Sequence, residues 1–330
     1  IEMVECEVTI LVAVYNTEQY LRQCMDSLLG QTLSNIQIIC IDDASTDGSL
    51  AILREYEDRD QRVEVIALET NRGQAHARNQ GLTKARGRYI GFLDSDDWMD
   101  RHCLEEGVRT FDKYPATDSV LFHTIYYYSS SRQEEFDMEP FEVLSGHEAF
   151  VRSLTWKIHG VYMVKAEIHH RYPYDESAHA FSDDNTTRLH YLASREVRQC
   201  EGTYYYRQRA DSTSHAFSLR RFDYLKANQS MSMTLRRMMV SRDIRDVYER
   251  HRWLNIIDLY MLWFRHRHTL SPIDSAEALH QIRLAWASIN VRRLSPKLRW
   301  KFGYVPFHRS WFLFRMQEEL YFSLRKALRR

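Results

Sequence analysis

The sequence predicts an α/β fold, in which a parallel sheet lies between helices, followed by a helical region. Two observations support this prediction. In the first hundred residues, apolar β-branched runs alternate with segments of helical periodicity. The last hundred residues show helical periodicity alone and contain an excess of basic side chains. We therefore expect a sheet domain first and a helical region after it.

Four apolar runs are predicted strands, at 8–14, 36–41, 63–68 and 89–93. Three helices are predicted between them, at 18–29, 50–56 and 74–85. The first two strands are apolar on both faces, which is typical of strands covered on both sides. Strand and helix alternate throughout, and this order predicts a parallel sheet.

The predicted strands end in polar residues. Tyr15 and Asn16 follow the first run, Asp42 and Asp43 follow the second, and Asn71 follows the third. The carboxyl ends of parallel strands share one edge of the sheet, and ligands bind at that edge in open α/β folds. The sequence therefore predicts a nucleotide crevice at this edge.

The fourth run ends in three carboxylates, Asp94, Asp96 and Asp97. Clustered carboxylates repel one another unless a cation lies among them, and such oxygen ligands suit Mg²⁺ or Mn²⁺, which in turn suit a diphosphate. The alternative is a helix N-cap before Trp98, because Asp is also a good cap. No glycine-rich phosphate loop of the form GxGxxG or GxxxxGK[ST] is present. A metal is therefore the predicted means of neutralising the phosphates.

Further along the chain, helices are predicted at 104–114 and within 141–154, where Ser145 is the expected N-cap, and strands at 119–128 and 160–164. Asp183 and Asp184 open an amphipathic helix. Acidic residues are favoured in the first turn of a helix, so capping alone is one interpretation of this pair.

Four segments occur in order within about residues 7–215: VTILVAVYNTEQYLRQCMDSLLGQT, IICIDDASTDGS, NRGQAHARNQGL and ARGRYIGFLDSDDWM. Together they resemble the inverting family 2 glycosyltransferases, which have the nucleotide-sugar-binding GT-A fold. The ordered series is far more specific than a DxD motif alone. One departure is Ala13, where the family usually has Pro.

The resemblance implies a set of donor-binding residues: Tyr15, Asn16, Asp43, Asn71, Gly73, Arg78, Asp94 and Ser95. Tyr15 would stack near the nucleobase, and Asp43 would accept a hydrogen bond from its ring N–H. Arg78 would lie near the diphosphate or ribose, and Asp94 would contact the ribose or sugar. The alternatives are that Tyr15 is a core residue, Asp43 a turn residue and Arg78 a surface helix residue.

The resemblance also implies the metal ligands and the catalytic base. Asp96 would hold the metal directly, with Asp97 adjacent and His215 as a further candidate ligand. Inverting transfer needs a carboxylate that takes the proton of the attacking hydroxyl. The family supplies it from a Glu-Asp pair, which here is Asp183-Asp184, so an Asp replaces the usual Glu. Asp184 is the predicted base and Asp183 the alternative.

The cysteine pattern and hydropathy suggest a cytosolic protein. Five scattered cysteines without CxxC spacing argue against a disulfide framework or a zinc site, and for a reducing compartment. No apolar run reaches the length of about 18 residues that a membrane-spanning helix needs. We therefore expect a cytoplasmic protein, with possible peripheral attachment to the cytoplasmic face of the inner membrane.

Residues 231–330 contain 20 Lys or Arg and 8 Asp or Glu, a net charge of +12, whereas residues 1–230 have a net charge of −12. Two apolar series in this region repeat at helical spacing: Leu254, Ile257, Met261 and Phe264, then Leu313, Met316, Leu320, Leu324 and Leu328. Basic and aromatic residues lie between them. This pattern predicts contact with an anionic membrane surface. The alternative is a packed helical subdomain with solvated charges. Nucleic acid is disfavoured because no nucleic-acid-binding motif is present.

We therefore predict a GT-A domain over 1–220, with a nucleotide-binding half at about 7–100 and an acceptor half at about 101–220, and a basic helical region over 221–330. The predicted activity is metal-dependent, inverting transfer from a nucleotide-diphosphate sugar, UDP-linked, to a glycan or lipid-linked acceptor in surface-polysaccharide synthesis. The alternative is a catalytically inactive glycan- or membrane-binding relative of the same fold.

Overall fold

The structure is a computed structural model that describes residues 6–178, 181–209 and 219–328. The chain divides into two compact units. The first comprises Ile1–His179 and Asp183–Ala216, and the second comprises Ala180–Ser182 and Phe217–Arg330. In the described residues, the strands all belong to the first unit.

Ten strands of the described chain form one sheet. They are β1 (Val8–Val14), β2 (Ile36–Asp42), β3 (Val63–Ala67), β4 (Tyr89–Phe92), β5 (Trp98–Met99), β6 (Thr117–Ser129), β7 (Arg132–Glu135), β8 (Leu144–Ser145), β9 (Tyr162–Lys165) and β10 (Glu196–Arg207). The order is β3-β2-β1-β4-β9-β6-β10-β5, with β7 beside β6 and β8 beside β10. The strands β3, β2, β1 and β4 are parallel, as predicted. Because β9 runs antiparallel to β4 and β6, the whole sheet is mixed.

The helices of the first unit are α1 (Glu18–Leu29), α2 (Ser49–Arg59), α3 (Gln74–Leu82), α4 (Cys103–Lys113), α5 (Gly146–Ser153), α6 (Ala166–Arg171) and α7 (Asp183–Ala193). Every residue of β1 is buried, and alternate residues face two different cores. Ile10 and Val12 pack with residues of α1 and α4, whereas Leu11 packs with residues of α3. Helices therefore cover both faces of the parallel strands, which explains the continuous apolar run in the sequence.

Three local predictions can be compared directly with the structure. Ser145 caps α5 as predicted, and forms a capping box with Glu148. The helix α3 ends at Leu82, three residues early, because the next N–H groups bond to carbonyls only three residues back. The N-cap interpretation of the acids before Trp98 is wrong, since Trp98–Met99 is a strand that pairs with β10.

The second unit is helical. Its helices are α8 (Asp223–Arg237), α9 (Arg242–His266), α10 (Pro272–Ala287), α11 (Pro296–Trp300) and α12 (Trp311–Leu328). The core packs Trp253 and Tyr260 of α9 against Ile282 of α10 and Phe314 and Phe322 of α12. Thus α12 contributes Phe314 and Phe322 to this core, and the predicted apolar series from Leu313 to Leu328 lies on a different face.

Residues 6–178, 181–209 and 219–328 include no helix with both the length and the apolar character needed to cross a bilayer.

Candidate active site

The carboxyl ends of the parallel strands meet at one edge of the sheet. The register places Val14 of β1 beside Asp42 of β2, and Leu11 of β1 beside Phe92 of β4. The segments that follow these strands therefore leave the sheet side by side. This is the edge at which ligands bind in open α/β folds.

The segment after β1 is anchored to both of its neighbours. Asn16 adopts a left-handed backbone conformation, with φ of 52°, and its Oδ1 accepts a hydrogen bond from the Thr46 N–H at 2.8 Å. The Thr17 hydroxyl donates to Ser95 Oγ at 3.0 Å, which joins the segment to the one that follows β4. Tyr15 is 48% exposed, so the interpretation of Tyr15 as a core residue is wrong.

Asp43 organises the loop before α3. Its two carboxylate oxygens accept hydrogen bonds from the N–H groups of Arg72, at 3.0 Å, and Gly73, at 2.8 Å. Gly73 has a φ of 93°, in the region that favours glycine. Asn71 Nδ2 also donates to the Asp43 carbonyl, at 3.2 Å. Asp43, Asn71 and Gly73 therefore form one connected cluster.

Arg78 lies beneath the acid cluster. Its side chain is only 2% exposed, so the interpretation of Arg78 as a surface residue is wrong. Its guanidinium packs 4.2 Å from the Phe92 ring centroid, and its Nη2 donates to Asp94 Oδ1 at 2.5 Å. Gln74 Nε2 donates to the same oxygen at 2.8 Å. Two residues of α3 thus fix the first acid of the cluster.

The pKa of the Asp94 carboxyl is raised above its ordinary value. Burial is the largest cause, Arg78 opposes it, and repulsion from Asp96 and Asp183 adds to it. The carboxylates of the cleft therefore repel one another. This is the condition that a bound cation relieves.

Asp96 and Asp97 have different surroundings. Asp96 is partly exposed, and its Oδ2 lies 3.4 Å from Arg209 Nη1. Asp97 is buried and accepts hydrogen bonds from the Tyr204 hydroxyl, at 2.8 Å, and the Arg207 N–H, at 2.7 Å. Burial raises the pKa of Asp97 well above its ordinary value. In this arrangement, Asp97 attaches the acid segment to β10, and the neighbouring Asp96 remains partly exposed.

Tyr204 connects the same elements and was missed by the sequence analysis. Its hydroxyl accepts a hydrogen bond from the Asp94 N–H at 3.2 Å and donates to Asp97. The signal that could have found it is its place in Tyr204-Tyr205-Tyr206, since a buried tyrosine on a strand needs a partner for its hydroxyl.

Asp183 and Asp184 occupy the first turn of α7. Both line the same cavity as Arg78 and Asp94, so the structure brings the predicted base to the donor-side acids. Asp184 Oδ2 lies 3.5 Å from Nη2 of the buried Arg188, one turn further along the helix. Arg188 therefore orients the carboxylate of Asp184.

The cavity has a volume of about 520 Å³. Its second wall is aromatic, another feature missed by the sequence analysis, and comprises Tyr126, Tyr128, Phe136, Trp156 and Tyr206. Trp156 is 49% exposed and has a φ of 56°, which is strained for a bulky side chain. His159 also lines the cavity, and burial lowers its pKa to about 3, so it is neutral near pH 7.

The metal prediction can be tested only against the described residues. His215 lies outside them. Across the described ranges, no group of three or more His, Cys, Asp or Glu side chains is arranged to hold a metal ion. However, Mg²⁺ in phosphate sites is commonly held by one or two carboxylates together with the substrate phosphates. Asp94 and Asp96, whose negative charges repel each other, fit that smaller set.

Comparisons with known proteins show which proteins this chain is similar to. The family model described as "Glycosyl transferase family 2" matches residues 9–171. Glycosyltransferase GlyG of Streptococcus pneumoniae is 30% identical over 224 residues, covering 62% of this chain and 72% of GlyG. Putative glycosyltransferase EpsH of Bacillus subtilis is 48% identical over 103 residues, covering 31% of this chain but only 30% of EpsH.

Among solved structures, residues 1–349 of S. aureus TarS in complex with UDP-GlcNAc superpose with a TM-score of 0.76. The sequence identity is 18%, and the match covers 96% of this chain and 91% of that one. At this identity, the likeness concerns the fold, and it extends through the helical unit as well as the sheet unit.

Proposed function

Because this chain belongs to glycosyltransferase family 2, we propose that it is a metal-dependent, inverting glycosyltransferase. It takes a sugar from a nucleotide-diphosphate donor, a UDP-sugar, and transfers it to a hydroxyl of a glycan or lipid-linked acceptor in surface-polysaccharide synthesis. One observation carries the proposal: the Asp94–Arg78 pair and the Asp183-Asp184 pair line a single cavity. UDP is favoured because the TarS structure contains UDP-GlcNAc.

On the donor side, Tyr15 and the Asp43 loop cluster lie at the sheet edge, where the nucleoside would bind. Asp96 and Asp94 are the residues that would hold Mn²⁺ or Mg²⁺, which when bound offsets negative charge on the departing diphosphate. Arg209, whose Nη1 lies 3.4 Å from Asp96 Oδ2, would share that charge. Asp97 would not contact the donor; its hydrogen bonds to Tyr204 and Arg207 keep the acid segment in position.

On the opposite side, Asp184 is the general base. Arg188 holds its carboxylate at the cavity, where it takes the proton of the acceptor hydroxyl. The acceptor oxygen then bonds to the anomeric carbon as the bond from that carbon to the diphosphate oxygen breaks. Attack from the face opposite the leaving group inverts the configuration. The negative charge of Asp183 raises the pKa of both Arg78 and Asp94, so Asp183 influences the electrostatic potential of the donor pocket.

The acceptor wall suggests which acceptors bind. Aromatic rings present flat apolar surfaces against which a sugar ring packs. Of the described residues lining the cavity, only Arg78 carries a positive charge, and Asp94 already pairs with it. The wall therefore favours an uncharged sugar as the accepting residue over a phosphate-bearing one.

The decisive experiment replaces the base. Asp184→Asn should leave UDP-sugar binding, measured by calorimetry with Mn²⁺, within twofold of wild type (about 0.4 kcal/mol). It should lower transfer, measured as UDP release with acceptor present, by at least ~100-fold. Asp58→Asn, on the exposed side of α2, is the matched control and should retain both.

Retained turnover in the Asp184 variant would remove this residue from the role of base. Wild-type protein that binds UDP-sugars but never turns one over would instead indicate the non-catalytic relative. A thermal-shift screen of UDP-, GDP- and dTDP-sugars with Mn²⁺ identifies the nucleotide before either assay.

A further inference from the structure

The last described helix has two apolar faces. One face packs into the core of the helical unit through Phe314 and Phe322. The other faces solvent and comprises Phe312, Leu313, Met316, Leu320, Leu324 and Leu328, which are between 39% and 85% exposed. We refer to these six residues as the α12 stripe.

The α12 stripe is continuous. Its residues recur at three- and four-residue intervals, which places them along one side of the helix over roughly 24 Å, at about 1.5 Å per residue. The exposed Ser323 and Ala327, which lie on the same side of the helix, are small and uncharged, whereas the exposed Arg325 and Lys326 lie on either side of the stripe. Within Trp311–Leu328, the charged side chains therefore flank the stripe and do not interrupt it.

Folding of the helical unit does not account for this surface. Phe314 and Phe322 of α12 belong to the described core of this unit, and that core includes none of the six stripe residues. Scattered exposed apolar residues are normal on a protein surface, but a contiguous apolar stripe marks an interaction site.

Neighbouring aromatic residues extend the apolar surface. The Phe302 ring lies 5.6 Å from that of Tyr321 on α12, and Phe302 is itself exposed. Trp300, two residues earlier, is 82% exposed. Exposed tryptophan and phenylalanine beside a helical apolar stripe are typical of segments that lie in a membrane interface.

The charges around this surface have one sign. Residues 291–328 contain nine Lys or Arg and two Glu. Glu318 is buried, and Glu319 accepts hydrogen bonds from Arg267, so neither offsets the cations at the surface. Lys301 and Lys326 are among the exposed cations. An anionic surface complements this segment.

We propose that the α12 stripe docks on an anionic lipid bilayer, with the helix lying in the plane of the interface. A second copy of the chain is the less favoured occupant, because pairing two stripes would bring two cationic rims together. The stripe would enter the boundary between headgroups and acyl chains, and the exposed cations would contact lipid phosphates. This inference does not depend on the proposed glycosyltransferase activity.

The test is flotation of the full chain with vesicles of phosphatidylcholine, alone or mixed with phosphatidylglycerol. Wild-type protein should float with the mixed vesicles and much less with phosphatidylcholine, and added salt should weaken binding. Leu320→Gln with Leu324→Gln should reduce binding to the mixed vesicles by roughly tenfold or more. The matched control, Ile273→Gln with Leu284→Gln, alters two exposed residues of α10 and should bind as wild type does.

A charge variant tests the second element of the proposal. Lys326→Glu should lower binding to the mixed vesicles by roughly fivefold or more, whereas Arg237→Glu on the exposed side of α8 should change it far less. The difference between the two variants should vanish in high salt.

Three results would overturn the proposal. The first is that the wild-type chain fails to float with anionic vesicles, and the second is that the Leu320/Leu324 variant floats as well as wild type. The third is that sedimentation without lipid shows a dimer that this variant converts to monomer, which would assign the stripe to a second copy. Thermal unfolding followed by tryptophan fluorescence in the absence of lipid should be equal in wild type and variant. That measurement shows that the variant is folded and separates this test from that of the proposed activity.

Discussion

The cleft of the sheet unit and the last helix of the helical unit depart from ordinary protein surfaces in opposite ways. The cleft gathers charges inside: Arg78 is buried beneath Asp94, and Asp97 is buried behind them. Helix α12 places leucines outside. Burying charge and exposing apolar side chains both carry a free-energy cost. Their coexistence in one chain suggests that each is retained for binding, one for a small anionic ligand and the other for an extended surface.

The two regions also differ in how their unusual residues are supported. In the cleft, Asp94 pairs with Arg78 and Asp184 pairs with Arg188. The α12 stripe is held in place through the other face of its helix, where Phe314 and Phe322 pack into the core. Removing a buried charge of the cleft, such as Arg78, should therefore affect folding and function together, whereas substitutions in the stripe should affect binding alone.

The largest expected effect comes from removing the buried cation of the cleft. Arg78→Met leaves Asp94 without its ion pair and removes the packing of the guanidinium on Phe92. We expect a loss of about 3 kcal/mol in the free energy of unfolding, because breaking a buried pair leaves an uncompensated charge. Chemical denaturation monitored by circular dichroism measures this loss, and calorimetry should show that UDP-sugar binding is lost as well.

The matched control is Arg86→Met. Arg86 pairs with Glu64 at 2.7 Å, but at an exposed position. An exposed pair contributes at most about 1 kcal/mol. Equal destabilisation by the two substitutions would contradict the view that burial makes the Arg78 pair important.

The strongly periodic parts of the fold were predictable from the sequence. The strand Val8–Val14 and the helix Glu18–Leu29 have the predicted bounds, because each is specified by local apolar spacing and by the break at Gly30. The polar residues at the strand ends were also predictable, because the carboxyl ends of parallel strands meet at one edge of the sheet.

Features that depend on distant partners were not predictable. The two-residue strand at Trp98 exists only because it pairs with Tyr205, more than a hundred residues away. Local sequence does not show that Arg78 would be buried by Phe92 and Tyr174. Likewise, periodicity indicates that Leu320 and Leu324 share a face, but it does not indicate whether another element covers that face.

A second prediction concerns a buried acid beneath the α12 stripe. Burial raises the pKa of Glu318 to about 8 from an ordinary value of 4.5, and the hydrogen bond from Gln317 opposes this only weakly. Below pH 4.5, both the folded and the unfolded chain bind this proton. As the pH rises from 4.5 to 8, the unfolded chain loses the proton first, so the free energy of unfolding falls.

Glu318→Gln should remove this dependence. At pH 8, we expect the variant to be more stable than wild type by roughly 3 kcal/mol, and near pH 4.5 the two should be alike. Five of the seven tryptophans lie within residues 219–328, so denaturation followed by fluorescence reports mainly on this unit. The exposed Glu277→Gln is the control and should follow wild type. A pH-independent difference between Glu318→Gln and wild type would show that packing, not ionisation, causes the effect.

The smallest expected effect concerns Trp156, an exposed tryptophan of the cleft, where one substitution tests both backbone strain and acceptor binding. Trp156 has a φ of 56°, which glycine adopts freely, so Trp156→Gly should raise the free energy of unfolding by up to about 1 kcal/mol. The same change removes an aromatic ring from the acceptor wall, so KM for the acceptor should rise roughly tenfold while donor binding stays the same. Trp300→Ala, at an exposed tryptophan of the helical unit, should alter neither the acceptor KM nor donor binding. A variant at Trp156 that gains stability and keeps its acceptor KM would assign the strained backbone a purely structural origin. A variant at Trp156 that loses stability and also binds the acceptor more weakly would show that the ring contributes to packing within the sheet unit. The leucines of the α12 stripe are not expected to contribute to packing in this way.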